Sequence, residues 1–250
     1  MSLPSPKTIE RLHLDADVLV LNKPAGLRIA PDRSGRVALP ESAATATEPS
    51  SLFDVVPIDA DASGVLLLAR SEDVRKDLVQ QLAEGVLHVC VLALVRASFV
   101  GDGGTIDRPI DGPSRHRRGD APDGTPARTD WRVRDGFVGF ALLECHPRTS
   151  AQGQIRRHLA AVGMPLAVDP VCGGAEELML SSFKAGYRPS RRHSEKPLII
   201  RATLHSESVR FRHPKTGASM RLEAPIPRDF RATLHQLDRF GRIGPGGLCS

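Results

Sequence analysis

Aromatic side chains are scarce. The chain has one tryptophan, Trp131, one tyrosine, Tyr187, and only 4% aromatic residues in all, so a groove paved with stacking rings is not expected. Its four cysteines, Cys90, Cys145, Cys172 and Cys249, are scattered and form no Cys-x-x-Cys pair. That spacing argues against a disulfide framework. Cys145 beside His146 is the nearest approach to a ligand pair, too little for a zinc site, and no metal is expected. No apolar run approaches the roughly 20 residues of a membrane span, and Met1 to Lys7 lack the apolar core of a signal peptide. A cytoplasmic protein without membrane contact is the expectation. Gly101-Asp102-Gly103-Gly104 lacks the spacing of a nucleotide-binding loop and no Lys-Ser or Lys-Thr follows it, so no cofactor is expected either.

What is present is a chain of 250 residues, 40% hydrophobic, with a net charge of +5. This length supports one sizeable core or two small ones. The modest basic excess suits a polyanionic partner, and equally an ordinary soluble protein rich in arginine. Ile9 to Leu14 and Val18 to Asn22 read as strands, and Gly64 to Ala69 as a strand buried on both faces. Val74, Leu78 and Leu82 recur at helical spacing up to a stop at Gly85, and Val86 to Val95 returns as a strand. Trp131 to Arg134 and Phe137 to Leu143 form a hairpin with its turn at Asp135-Gly136. Gly153 to Val162 is an amphipathic helix. Leu198 to Leu204, Ser208 to His213 and Ser219 to Ala224 are strands. Strands dominate and helices intervene without strict alternation. The fold class is therefore α+β, one domain on a largely antiparallel mixed sheet with a central cleft.

Three segments carry chemistry. Asp59-Ala60-Asp61-Ala62-Ser63-Gly64 leads into the buried strand and places carboxylates at the rim of the core. It reads either as a catalytic carboxylate or as a turn whose Asp and Ser side chains bond local amides. Thr149 to His158 starts a helix with small and amide residues, leaving free backbone donors at its start and Arg156 and Arg157 just inside. Those arginines read as a grip on RNA phosphate, a cation beside a carboxylate, or a solvated helix face. Lys23-Pro24-Ala25-Gly26 by itself is a turn. Arg115, Arg117 and Arg118 sit in a basic loop between Asp111 and Arg128, and Arg188, Arg191 and Arg192 form a second basic stretch.

Taken in order, these segments resemble the RluA-type RNA pseudouridine synthases. Asp17 to Leu27 resembles the opening motif of that family, and Ile58 to Leu67 resembles R-L-D-x-x-T-S-G-L-L. Thr149 to His158 is similar to T-G-R-T-H-Q-I-R-x-H, and Gly163 to Asp169 to G-x-P-I-x-G-D. Leu204-His205 and His213 to Gly217 match the closing strands. The likeness runs from about Leu12 to Phe230, which implies a catalytic domain over residues 8–232 between flexible termini at 1–7 and 233–250.

The resemblance implies cofactor-free isomerisation of uridine in tRNA or rRNA by a monomer. The base is detached from the ribose, turned, and reattached through carbon after being flipped into a pocket. Asp59 matches the catalytic aspartate, which acts on the sugar as nucleophile or base. Arg156 matches a basic position of the third motif, and a buried carboxylate needs such a cation to stay ionised. Gln154 and Ile155 flank it as substrate-binding residues, and Arg115, Arg117 and Arg118 would grip phosphate. The departures are specific. Pro57 stands where the family has an arginine, and the family tyrosine of K-x-Y aligns with Cys90, which puts Cys90 against the base. Ser150, Ala151, Gln152 and Gly153 replace G-R-T-H, and Ala62 replaces a threonine. A catalytically impaired member that acts as an RNA-binding factor is the alternative.

Overall fold

The computed structural model describes residues 9–29, 36–37, 51–97, 101–110, 124–169, 171–172, 174–188 and 194–242. In chain order the strands are β1 (Glu10–Leu14), β2 (Val18–Lys23), β3 (Arg36–Val37), β4 (Leu52–Asp54) and β5 (Ser63–Ala69). Helix α1 (Glu72–Ala83) precedes β6 (His88–Arg96), β7 (Gly103–Asp107), β8 (Arg128–Phe137) and β9 (Phe140–Pro147). Helix α2 (Gln154–Ala161), β10 (Leu204–Arg212), β11 (Ser219–Glu223) and α3 (Arg228–Gly241) complete the elements, with a short 3-10 turn at Leu180–Ser182.

All these strands join one mixed sheet in the order β1-β2-β5-β10-β6-β9-β8-β7, with β11 on β10 and the β3–β4 pair beside β5. Every pairing between them is antiparallel except β5 with β10, where Ser63 and Gly64 face His205 and Ser206. That parallel pair sits directly after the Asp59 loop. Gly64 has φ +111, and a Cβ there would collide with the backbone of Ser206, so the Ser-Gly pair is required by the close approach of β10. Ser63 Oγ and His205 Nδ1 are 3.0 Å apart in the same buried seam. His205 Nε2 donates to the Ala224 carbonyl at 3.1 Å, so Nδ1 accepts from the serine.

The continuous apolar runs of β2 and β5 are buried from end to end, as two-sided burial demands. One core cluster gathers these strands with Val74, Leu78 and Leu82 of α1, Val89 and Val91 of β6, and Cys145 of β9. The second uses the opposite face of β6 and β9, with Leu92, Leu94 and Leu142 packed under Phe230 and Leu237 of α3. Alternation along β6 therefore divides the molecule into two faces, and only the first carries the cleft.

Three expectations move. The hairpin turns at Val138-Gly139, where Gly139 has φ +74, and Asp135-Gly136 lies within β8 beside a bulge that absorbs the extra residue. Leu198 to Thr203 forms no strand beyond an isolated bridge at Ile199, and the regular strand begins at Leu204. Residues 233–241 are not a flexible tail. They continue α3, whose Thr233 and Leu237 are fully buried against the second core, so the ordered unit extends past residue 232.

Candidate active site

The Asp59 loop is fixed from below by a lysine. Lys23, at the end of β2, is completely buried, and its Nζ donates to the carbonyls of Pro24 at 3.1 Å, Ala60 at 2.9 Å and Ala62 at 2.7 Å. These three bonds use all the donors an ammonium has, and two of them grip the loop on either side of Asp61. Gly26 adds a backbone bond to the Ala60 carbonyl at 2.8 Å, its φ of +87 turning the chain toward the loop. Burial pulls the Lys23 amine down to about 8, against the opposing pull of Asp61 and Asp59. The Lys-Pro-Ala-Gly turn is thus the clamp of the Asp59 loop, a role its sequence alone did not reveal.

Arg156, on the first turn of α2, meets that loop from the other side. Its Nη2 donates to Asp61 Oδ1 at 2.5 Å, its Nη1 to Asp169 Oδ1 at 3.3 Å, and its Nε lies 3.1 Å from Asp59 Oδ2. The last N–H is not aimed at the oxygen, so charge rather than an aligned hydrogen bond couples Arg156 to Asp59. One guanidinium, 7% exposed, serves three carboxylates. Asp169 is held in place by the amides of Val171 and Cys172. Asp59 also accepts a bond from Gln152 Nε2 at 3.1 Å on Oδ1. Burial pushes the Asp59 carboxyl above the ordinary carboxylate range. Arg156 and Gln152 oppose the rise, and the charges of Asp61 and Asp169 add to it. The expected pairing of residues 59 and 156 is present, but the cation is shared and burial outweighs it.

The start of α2 is tied to β8 by a buried chain of bonds. Gln154 donates to the Arg128 carbonyl at 2.8 Å and Thr129 Oγ1 at 3.0 Å, while its own oxygen accepts from Thr149 Oγ1 at 2.7 Å. Thr129 contacts His158 Nδ1 at 2.9 Å, and His158 Nε2 donates to the Arg108 carbonyl at 2.9 Å. The carboxamide of Gln154 is therefore committed to the loop, and only its stem reaches the pocket. Gly153 has φ +68, and a Cβ there would lie 3.7 Å from Asp59 Oδ1, so the loop brings bare backbone beside the carboxylate.

The pocket beside Asp59 is almost wholly apolar. Pro57, Ile58 and Ala62 line it from the loop, Val65 and Leu67 from β5, Val89 and Val91 from β6, and Leu204 and Val209 from β10. Ile155, Thr149 and Ser206 lie on the rim, and Asp59 is the one ionisable side chain among the described residues that line the pocket. Pro57 occupies the wall where an arginine was the family pattern, and it supplies no charge.

Cys90 is not on this wall, which corrects the expectation that it faces the base. Strand alternation turns it to the opposite face, where its Sγ lies 3.8 Å from Glu207 Oε2. Burial, together with Glu144 and Glu207, pushes the thiol up to about 12. Its neighbours in β6, Val89 and Val91, line the pocket instead. Arg115, Arg117, Arg118, Arg191 and Arg192 lie outside the described residues, and Arg188 is exposed. Asp61, Asp169, Gln152 and Lys23 join the site although the sequence reading gave none of them a catalytic or substrate-binding role. The signal for Asp61 and Asp169 was present in their motifs, since a buried arginine facing one carboxylate at a polar loop attracts others.

A mixed sheet with an aspartate loop clamped at the mouth of an apolar pocket is the frame in which comparison with known proteins places an RNA-modifying isomerase. The family model for RNA pseudouridylate synthase matches residues 17–161. The ribosomal large subunit pseudouridine synthase D of Xanthomonas campestris is 34% identical over 90% of this chain and 68% of its own. An uncharacterized RNA pseudouridine synthase of Bacillus subtilis is 30% identical over 96% of this chain and 76% of its own. Among solved structures, the human RNA pseudouridylate synthase domain containing 4 shares the fold with a TM-score of 0.60 at 19% identity, covering 94% of both chains. The chain belongs to the RNA pseudouridine synthase family, enzymes that isomerise uridine in RNA. Among the described residues no helix is long and apolar enough to cross a membrane.

Proposed function

We propose that Asp59 is the catalytic residue and that the substrate is a uridine of ribosomal RNA. The observation that carries the reading is the position of Asp59 as the single ionisable group on an apolar wall, with a buried guanidinium 3.1 Å behind it. A flipped uracil ring fits against Val65, Val89, Val91 and Ile155, and its ribose meets the carboxylate at the rim. Asp59 acts on the sugar, as nucleophile or base, while the bond from ribose carbon to base nitrogen breaks. The base turns in the apolar pocket, where no charged wall group competes for it. A new bond then forms from the ribose carbon to the ring carbon, whose proton leaves and whose freed nitrogen gains one. With no other ionisable group on the wall, the leaving proton goes to Asp59 or to water.

The ribosomal target rests on the names of relatives such as the ribosomal large subunit pseudouridine synthase D of Xanthomonas campestris. The acting unit is the single domain ending with α3, working as a monomer in the cytoplasm. Arg115, Arg117 and Arg118 hold the RNA backbone through phosphate contacts, and Ile155 packs on the base. The test is pseudouridine mapping of ribosomal RNA in cells with and without the gene, and with Asp59→Asn in its place. One or more pseudouridines are expected to vanish in both altered strains, with a loss of at least about a thousand-fold in the rate of the purified variant. An unchanged map removes the enzymatic assignment.

One observation favours a second reading. Among the described residues the wall has neither an arginine at residue 57 nor an aromatic ring, so binding without turnover would also suit this pocket. An unchanged map combined with salt-dependent binding of ribosomal RNA is its signature.

A further inference from the structure

On the face of the sheet turned away from the pocket, three neighbouring residues gather donors that the isomerisation does not use. Cys90 projects from β6, and Glu144 and His146 project from β9 at alternate positions on the same face. One sulfur, one carboxylate oxygen and one ring nitrogen lie within 4.8 Å of one another. His146 Nδ1 is 3.0 Å from the Val89 carbonyl. A carbonyl oxygen only accepts, so Nδ1 carries the proton and Nε2 keeps its lone pair. That arrangement, one ring nitrogen anchored to backbone and the other free, is how ligating histidines are oriented.

We propose that Cys90, Glu144 and His146 bind a zinc ion. A thiolate, an imidazole and a carboxylate form a borderline-soft set that suits Zn²⁺ rather than Mg²⁺ or Ca²⁺. A tetrahedral ion needs its ligand atoms somewhat under 4 Å apart, given Zn–S near about 2.3 Å and Zn–N near about 2.0 Å. Small side-chain rotations therefore close the present spacing. Water takes the fourth position, on the open side of the sheet.

The surrounding charges are compatible with a divalent ion. Arg132 Nη2 pairs with Glu144 Oε2 at 2.5 Å, and Arg134 Nη1 pairs with Glu207 Oε1 at 2.9 Å. Arg132 takes one oxygen of Glu144, while Arg134 takes one oxygen of Glu207 and lies 3.9 Å from the second oxygen of Glu144, which a bound ion would draw away from it. The other oxygen of Glu207 already points at the Cys90 sulfur, 3.8 Å away. Zinc binding forms the S–Zn bond as the thiol proton passes to solvent, so the site tightens with rising pH. The ion would staple β6 to β9 behind Val89 and Val91, the two residues with which β6 walls the pocket.

The test uses the full chain, stripped with a chelator and titrated with Zn²⁺ or Co²⁺. One Co²⁺ per chain is expected, with the near-ultraviolet charge-transfer band of a thiolate ligand. Cys90→Ser, close in volume, removes the band, and His146→Gln weakens Zn²⁺ at least ten-fold in competition with a chelating dye. Zn²⁺ also raises the melting temperature of the unaltered chain and not that of Cys90→Ser. The proposal is overturned if the band is absent, or if it survives in Cys90→Ser, since that assigns the thiolate to Cys145, Cys172 or Cys249.

Discussion

The loop that carries Asp59 and the strand that faces it across the pocket are built from opposite materials. The loop is polar and fully cross-braced. Lys23 holds it with two bonds, to the carbonyls of Ala60 and Ala62, and Arg156 holds Asp61, Asp59 and Asp169 at once. The facing strand offers Val89 and Val91 and nothing else. A buried ion network fails when any member is removed, because each loss strands an uncompensated charge. An apolar wall tolerates exchange of one hydrophobe for another at about 1–3 kcal/mol. Asp59, Arg156 and Lys23 are therefore costly to exchange, whereas Val89 and Val91 are not.

The largest effect should come from breaking the network. Arg156→Met is expected to cost about 3–5 kcal/mol, since three carboxylates then share no cation. For a domain of this size that lowers the melting temperature by roughly 10 °C. The loss should shrink as the pH is lowered, because the Asp59 carboxyl, which burial already pushes above the ordinary carboxylate range, takes up a proton and no longer needs the cation. Calorimetry at pH 7.5 and pH 4.5 measures both. An equal loss at the two pH values would remove the charge network as the cause.

Lys23→Met comes next, at about 2–3 kcal/mol, because the carbonyls of Pro24 and Ala62 lose the lysine donor and that of Ala60 keeps only the Gly26 amide. Burial lowers the amine to about 8, so the folded state binds fewer protons than the unfolded one between that value and 10.5. Stability of the unaltered chain therefore rises with pH across that window, and the variant should lose this rise. Denaturant midpoints at pH 7.5 and pH 10 give the comparison. The rate of uridine conversion should fall with it, since the Asp59 loop is no longer held.

How much of this was legible follows the same division. The pairing of Asp59 with Arg156 was expected from the resemblance of their motifs to the family, whereas the residues alone left Asp59 as either a catalytic carboxylate or a turn. The α+β class and the strands Val18–Lys23 and Ser63–Ala69 were readable from unbroken hydrophobicity. The Lys23 clamp was not, since a lysine before Pro-Ala-Gly reads as a surface turn until its carbonyl partners are known. Cys90 shows the sharper limit. Strand side chains alternate with period two, so an alignment one residue out moves a residue to the opposite face. Helix α3 was hidden because Arg228, Arg231, His235, Asp238 and Arg239 dilute its apolar stripe. The hairpin shifted because a bulge at Val133 and Asp135 lets Asp-Gly fall inside a strand.

Asp54 sharpens the contrast from outside the network. It is 6% exposed, its Oδ1 has no partner among the described residues, and burial pushes its carboxyl up to about 7 despite Arg75 nearby. A folded value above the unfolded one means the folded state holds the extra proton between about 4 and 7. Stability therefore falls as the pH rises through that window and the penalty is complete above it. Asp54→Asn should stabilise the chain by about 2 kcal/mol at pH 8, less than the full linkage of roughly 4 kcal/mol because the amide is still buried. The gain should vanish near pH 4.

The smallest expected effect concerns the wall. Val91 is 8% exposed and lines the pocket opposite the loop, where a ring can lie along a bound base. Base–aromatic stacking contributes about 1–3 kcal/mol, part of which is offset by repacking against Val65 and Leu67. Val91→Tyr should therefore raise kcat/KM by about ten-fold, chiefly through a lower KM if the ring only stacks. A rise in kcat with a new basic limb in the pH profile would mean that the phenol also accepts the ring-carbon proton. A fall in kcat/KM would show that this pocket holds its base by the valines themselves, and that the wall has been rebuilt for its own substrate rather than merely emptied.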